Sequence, residues 1–171
     1  APLSSLDLAR RSCICFARAT YQAYRGGRGP QTPYTERVLQ LNGDQRDSMI
    51  ATCIRALPDE GCGLLLGMPS GEVRKVVPSP NIAHSAKVYE IDPKVLLRAS
   101  READNDGIEI IGVFHSHTHS EAYPSPTDIR QAPDPNWHYV LVSLKDIPTV
   151  VRSYRIVDGE VTKEEVALGH D

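Results

Sequence analysis

An apolar run that ends in histidines constrains this chain more than anything else in it. Ile108 to Phe114 (IEIIGVF) passes directly into His115-Ser116-His117. Such a run reads as a strand, and side chains two apart on a strand leave the same face. Two imidazoles side by side make half of a metal site. A carboxylate, Asp128, follows eleven positions after His117 within Ser125-Pro126-Thr127-Asp128. That segment reads as a helix start, with Ser125 as N-cap, Pro126 at the first helical position and Asp128 at the third. The carboxylate would then stand at a fixed helix end.

His115, His117 and Asp128 are the ligand set expected of a hydrolytic zinc, which takes three protein ligands and leaves one position open. Two neutral nitrogens and one carboxylate leave net positive charge on the ion, so its water ionises near neutral pH. A general base is still needed, and it should be a carboxylate that is not itself a ligand. Glu60 is the candidate, at the mouth of the apolar segment Gly61 to Gly67. Read alone, Glu60 also fits a surface turn in PDEG. Likewise the two histidines fit an ordinary strand, and Asp128 fits a plain charge at a helix N-terminus. Ser125 serves as a cap and, if its hydroxyl faces the metal, as a donor to a developing oxyanion. His119 reads as a rim residue, Cys62 as a small buried one, and Glu121 and Tyr123 as loop residues within reach of a substrate. His84, His138 and His170 carry no motif.

Along the chain, the pattern alternates over Arg37 to Leu41 and becomes helical after Gly43 through Met49, Ile50, Cys53, Ile54 and Leu57, with Pro58 ending that helix. Strands are expected at Glu60 to Gly67 and Val73 to Val77, and a short one at Tyr89 to Ile91. A helix over Pro93 to Ala103 precedes the histidine strand. Beyond the helix opened by Ser125, His138 to Leu144, Val150 to Val157 and Val161 to Val166 alternate as three more strands, the last two joined by a turn at Asp158-Gly159. The pattern is α/β or α+β, a sheet of about six to eight strands with two or three helices.

Charge divides the chain in two. Residues 1 to 35 hold five Arg against one Asp, with a possible helix from Leu3 to Tyr24 and then RGGRGPQTPY. They read as a basic extension, flexible or partly helical, ahead of an acidic domain over 36–171. An overall charge of -3 gives no reason to expect nucleic acid as the main partner. The apolar stretch Cys13 to Ala17 is too short to span a membrane. Four cysteines, two of them separated by a single residue, fit a reducing, cytoplasmic setting better than a disulfide framework.

With Glu60, then His115-x-His117, seven residues, Ser125, two residues and Asp128, the chain resembles the JAMM (MPN-fold) metalloprotease family without a departure in spacing. PDEGCGLLLG resembles its bacterial branch, and YVLVS with SYRIVDGEVT resembles the Mec-type peptidases. The likeness runs from about Glu36 to the end. It implies the MPN/JAB fold, a cytidine-deaminase-like three-layer arrangement of a mixed sheet with flanking helices. It also implies one Zn2+ on His115, His117 and Asp128, Glu60 as base and proton shuttle, and Ser125 as oxyanion donor. For Glu60 the resemblance carries most of the weight. The implied substrate is a ubiquitin-like sulfur carrier of the ThiS, MoaD or CysO kind, cut after its C-terminal glycine to release cysteine; a homodimer is compatible with this reading. Rivals are a deubiquitinase-like isopeptidase and a non-catalytic MPN scaffold. A cupin-type iron oxygenase using Glu121 and a PHP-type phosphoesterase are further ones, but each lacks downstream residues its class requires.

Overall fold

The computed structural model describes residues 38–145 and 147–169. The basic extension over 1–35, its helix from Leu3 to Tyr24, Cys13, Cys15 and His170 lie outside the described residues. The elements run β1 (Leu39–Leu41), α1 (Gly43–Ala56), β2 (Cys62–Gly67), β3 (Val73–Ser79), α2 (Pro93–Asp106), β4 (Glu109–His117), α3 (Pro126–Gln131), β5 (His138–Ser143), β6 (Val150–Val157), β7 (Glu160–Glu164) and β8 (Val166–Leu168). A six-stranded sheet has the order β3-β2-β4-β5-β6-β7, and β1 pairs with β8 in a small second sheet. Only β4 and β5 of the large sheet run parallel; the other neighbours are antiparallel. This is the mixed α+β architecture expected, with eight strands and three helices among the described residues. No helix among them is long and apolar enough to cross a membrane.

Local chemistry sets the helix ends. Asn42 and Gln45 exchange side-chain and backbone hydrogen bonds of 2.8 and 3.0 Å in a capping box that starts α1. Asp92 caps α2 by accepting from the Lys94 N–H at 2.8 Å, and Gly107 ends it in the left-handed region at φ 66°. α1 lays Met49 and Cys53 into the core with Leu65, Phe114, Val140 and Val142, whereas Ile54 and Leu57 at the end of its apolar stripe stay about half exposed. Both α1 and α2 pack on β2 and β4.

Register fixes the faces of the sheet. Cys62, His115 and Leu141 are partners across β2, β4 and β5, so they share one face. Phe114 and Ser116 point to the other, where α1 lies.

Two expected strands come out differently. Val161 and Val166 are five apart and would face opposite ways in one strand; the chain instead breaks at Glu165, β7 pairs with β6, and β8 turns to pair in parallel with β1. Tyr89 to Ile91 forms no ladder, only a bridge between Asn81 and Ile91. Side-chain bonds shape that segment. The Asn81 amide donates to the carbonyls of Glu60, Val88 and Ser85 at 3.0, 3.1 and 3.3 Å and accepts from the N–H groups of Ala83 and Glu90 at 3.0 Å.

Candidate metal centre

β4 delivers His115 and His117 to one face, and α3 delivers Asp128 opposite them. His115 Nε2 stands 3.4 Å from Asp128 Oδ1, and His117 Nε2 stands 3.3 Å from Oδ2. One ligand atom from each of the three lies within 4.8 Å of the others, and all three residues are buried. These contacts are long for hydrogen bonds. They match the edge of a tetrahedron with metal bonds of about 2.0–2.1 Å, roughly 3.3 Å. His115 supplies a further sign, since its Nδ1 has no hydrogen-bond partner among the described residues and its Nε2 has only the long contact to Asp128, although the side chain is 1% exposed. A buried imidazole left so is expected to have another partner. The donor set therefore fits a divalent cation of the zinc type.

α3 holds its carboxylate rigidly. Ser125 N–H donates to Asp128 Oδ2 at 2.7 Å, and Asp128 N–H donates back to the Ser125 hydroxyl at 3.2 Å. The cap expected at Ser125 thus also aims Asp128. On the other side, His117 Nδ1 donates to the Glu121 carbonyl at 2.8 Å, leaving Nε2 for the centre.

Glu60 reaches the histidines through their neighbour. Ser116 N–H donates to the Gly61 carbonyl at 2.9 Å, and Gly61 N–H donates to the Ser116 hydroxyl at 2.8 Å. This pair fastens the segment ahead of β2 to the middle of H-x-H. A side chain at Gly61 would have its Cβ 2.5 Å from Cys53 Cα, so only glycine permits the approach. Glu60 lies just before β2 rather than in it, 4% exposed.

The electrostatics separate the two carboxylates. Burial pushes Glu60 up to about 7, with His117 lowering it and Asp128 raising it. Burial works against the ionised Asp128 as well, but the His115 and His117 rings facing it outweigh that and hold the carboxyl well below the usual range. Burial lowers His115 below an ordinary histidine. It opposes the charge on His117 too, yet Asp128 and the Glu121 carbonyl leave that ring raised. One carboxylate is thus fixed as an anion while the other exchanges a proton near neutrality.

The remaining candidates sit apart. His119 is exposed and pairs with the Thr118 hydroxyl at 2.7 Å. Glu121 points outward to Lys145 at 2.7 Å, which removes it from the ligand role a cupin would require. Tyr123 is exposed and meets Tyr154 edge-on. Cys62 is buried, its thiol pushed up to about 12 by burial, so it stays protonated. Three contributors were not legible as such in the sequence. Ser116 and Gly61 make the tie just described, and Tyr89 stacks on His115 with ring centroids 4.2 Å apart and planes at 20°. Only the H-x-H spacing, which turns Ser116 away from the metal face, hinted at the first.

A family model described as prokaryotic homologs of the JAB domain matches residues 44–157. A CysO-cysteine peptidase from Mycobacterium tuberculosis is 43% identical over 133 residues, 75% of this chain and 90% of that one. A probable TtuB-protein conjugate cleaving protease from Thermus thermophilus is 34% identical over 149 residues, 85% of this chain and 92% of that one. The solution structure of a protein from Desulfitobacterium hafniense superposes with a TM-score of 0.73 at 34% identity, covering 78% of this chain and 94% of that one.

Proposed function

This chain belongs to the prokaryotic homologues of the JAB domain, and from that premise we propose that it is a zinc-dependent peptidase acting on a ubiquitin-like sulfur carrier. The bond cut is the amide after the carrier's C-terminal glycine, and the product released is cysteine. One observation carries the reading: a buried His115, His117 and Asp128 cluster of zinc dimensions, with the buried Glu60 carboxyl near enough to feel the charges of His117 and Asp128. The 43% identity to a CysO-cysteine peptidase supports the choice of substrate.

Each residue has a role. His115 Nε2, His117 Nε2 and the Asp128 carboxylate would hold the zinc. When bound, zinc supplies Lewis acidity, polarising the scissile carbonyl and lowering the pKa of water. Glu60 accepts the proton that water loses and hands it to the departing amine. Ser125 receives the Asp128 N–H on a lone pair, so its own proton is left to donate to the oxygen of the tetrahedral intermediate. The C–N bond breaks, and the water's oxygen stays on the glycine carbonyl carbon as carboxylate.

A carrier protein ending in Gly-Gly-Cys, incubated with the zinc-loaded chain and weighed by mass spectrometry, tests this reading. Loss of one cysteine residue is the expected result; an untouched carrier removes the substrate assignment. The similarity to a protease named for a TtuB-protein conjugate supports a second reading, cleavage of a carrier joined to a lysine. The same assay on such a conjugate decides between them.

A further inference from the structure

His115 and His117 are oriented by different means. His117 has the arrangement general to metal-binding histidines, its second nitrogen hydrogen-bonded to the Glu121 carbonyl. His115 has no such anchor, since its Nδ1 lacks a hydrogen-bond partner among the described residues. What meets its ring is a tyrosine. Tyr89 lies face to face with it at 4.2 Å and 20°, whereas His117 touches it edge-on at 5.2 Å and 61°. An imidazole in such a stack cannot turn about Cβ–Cγ without lifting off the tyrosine face.

Tyr89 is itself held on both sides. Asn81 takes the Val88 carbonyl at 3.1 Å and the Glu90 N–H at 3.0 Å, the residues that flank it, and the same amide donates to the Glu60 carbonyl at 3.0 Å. One buried asparagine thus fixes the support of a ligand and the backbone of the base. We propose that Tyr89 is a positioning residue of the metal centre, its ring setting the plane of His115 so that Nε2 is aimed toward Asp128. This inference rests on the reading that the cluster holds zinc.

The test compares wild type with Tyr89→Phe, which keeps the ring, and Tyr89→Leu, which removes it. Zinc affinity of the metal-free full chain is measured by competition with a chromogenic chelator, the visible spectrum is recorded after cobalt(II) loading, and metal-free Tm is followed alongside. Tyr89→Phe should bind zinc within about twofold of wild type with the same cobalt bands. Tyr89→Leu should bind about tenfold more weakly, the lower end of what loss of a ligand's orienting partner produces, with shifted bands. If the leucine variant does not fold, Tyr89→Met fills the space without a planar face and is expected to behave in the same way. A ringless variant that binds zinc as wild type does, with unchanged bands, overturns the proposal. So does a phenylalanine variant as impaired as the leucine one, which would assign the effect to the hydroxyl. Wild-type protein that binds no zinc sinks the zinc reading itself, and this inference with it.

Discussion

Glu60 makes the metal-free protein sensitive to pH, in a direction that can be worked out. Its carboxyl is pushed up to about 7, chiefly by burial, from an ordinary 4.5. Between those values the folded state holds more protons than the unfolded one, so this group's contribution to stability is full below about pH 4.5 and is lost as pH rises through 7. Glutamine mimics the protonated acid. Glu60→Gln should therefore match wild type in urea unfolding near pH 4.5 and exceed it by about 3 kcal/mol at pH 8. That figure takes about 1.4 kcal/mol for each tenfold change in proton affinity. A constant difference across that range would refute the assignment. In the loaded protein the same substitution should keep zinc but lower kcat by about 10²–10⁴, the span of general acid–base catalysis. There the cation's charge favours the carboxylate, so the acid limb of the activity profile should lie below pH 7. At this scale the meeting of His115, His117 and Asp128 could be read from the sequence because strand alternation and helix capping are local rules. Tyr89 could not, because it stacks on a residue twenty-six positions away and nothing in its surroundings marks it.

Between elements, the contact that brings Glu60 toward the candidate centre is the joint of the segment ahead of β2 with β4 over α1. Gly61→Ala would drive a methyl to 2.5 Å from the Cys53 backbone. Relief requires that the segment move off α1, taking Glu60 from the histidines. Loss of about 1–3 kcal/mol is expected, the range for overpacking, together with a fall in kcat larger than any change in zinc affinity, since His115, His117 and Asp128 are untouched. Equal losses in both would show that the joint carries the ligands too. The sequence exposed β2 and β4 but not this joint, which depends on pairing across fifty-five residues. The far edge of the sheet has its own polar fastening. Glu164 on β7 accepts from His138 on β5 at 2.8 Å and from Ser153 on β6 at 2.5 Å, and it lies 3.2 Å from Arg155 Nε. His138, without a motif in the sequence, is explained by this network. Glu164→Ala strips the carboxylate from a buried guanidinium and should destabilise by about 3 kcal/mol while sparing kcat in the protein that stays folded; denaturant midpoints and kcat measured together check both halves.

For the molecule as a whole, the metal should act as part of the fold. Its candidate ligands come from β4 and α3, and the loop between those elements is held by the bond from His117 to the Glu121 carbonyl and by Tyr154 donating to the Ala122 carbonyl. An ion that binds only the folded state stabilises by RT ln(1 + [L]/Kd), about 4 kcal/mol at a thousandfold excess over Kd. For a domain of this size each kcal/mol moves Tm by roughly 3–4 °C, so free zinc at that excess should raise Tm by about 10 °C or more, and a chelator should reverse it. His115→Ala and Asp128→Ala should abolish both the rise and the turnover. Glu60→Gln should keep most of the rise, because a base that is no ligand adds only the through-space attraction of its charge for the ion. That contrast separates a metal centre from a buried polar cluster that merely tolerates zinc on its surface: in the latter case all three variants would keep the same modest rise, and the assignment of His115, His117 and Asp128 as ligands would fall.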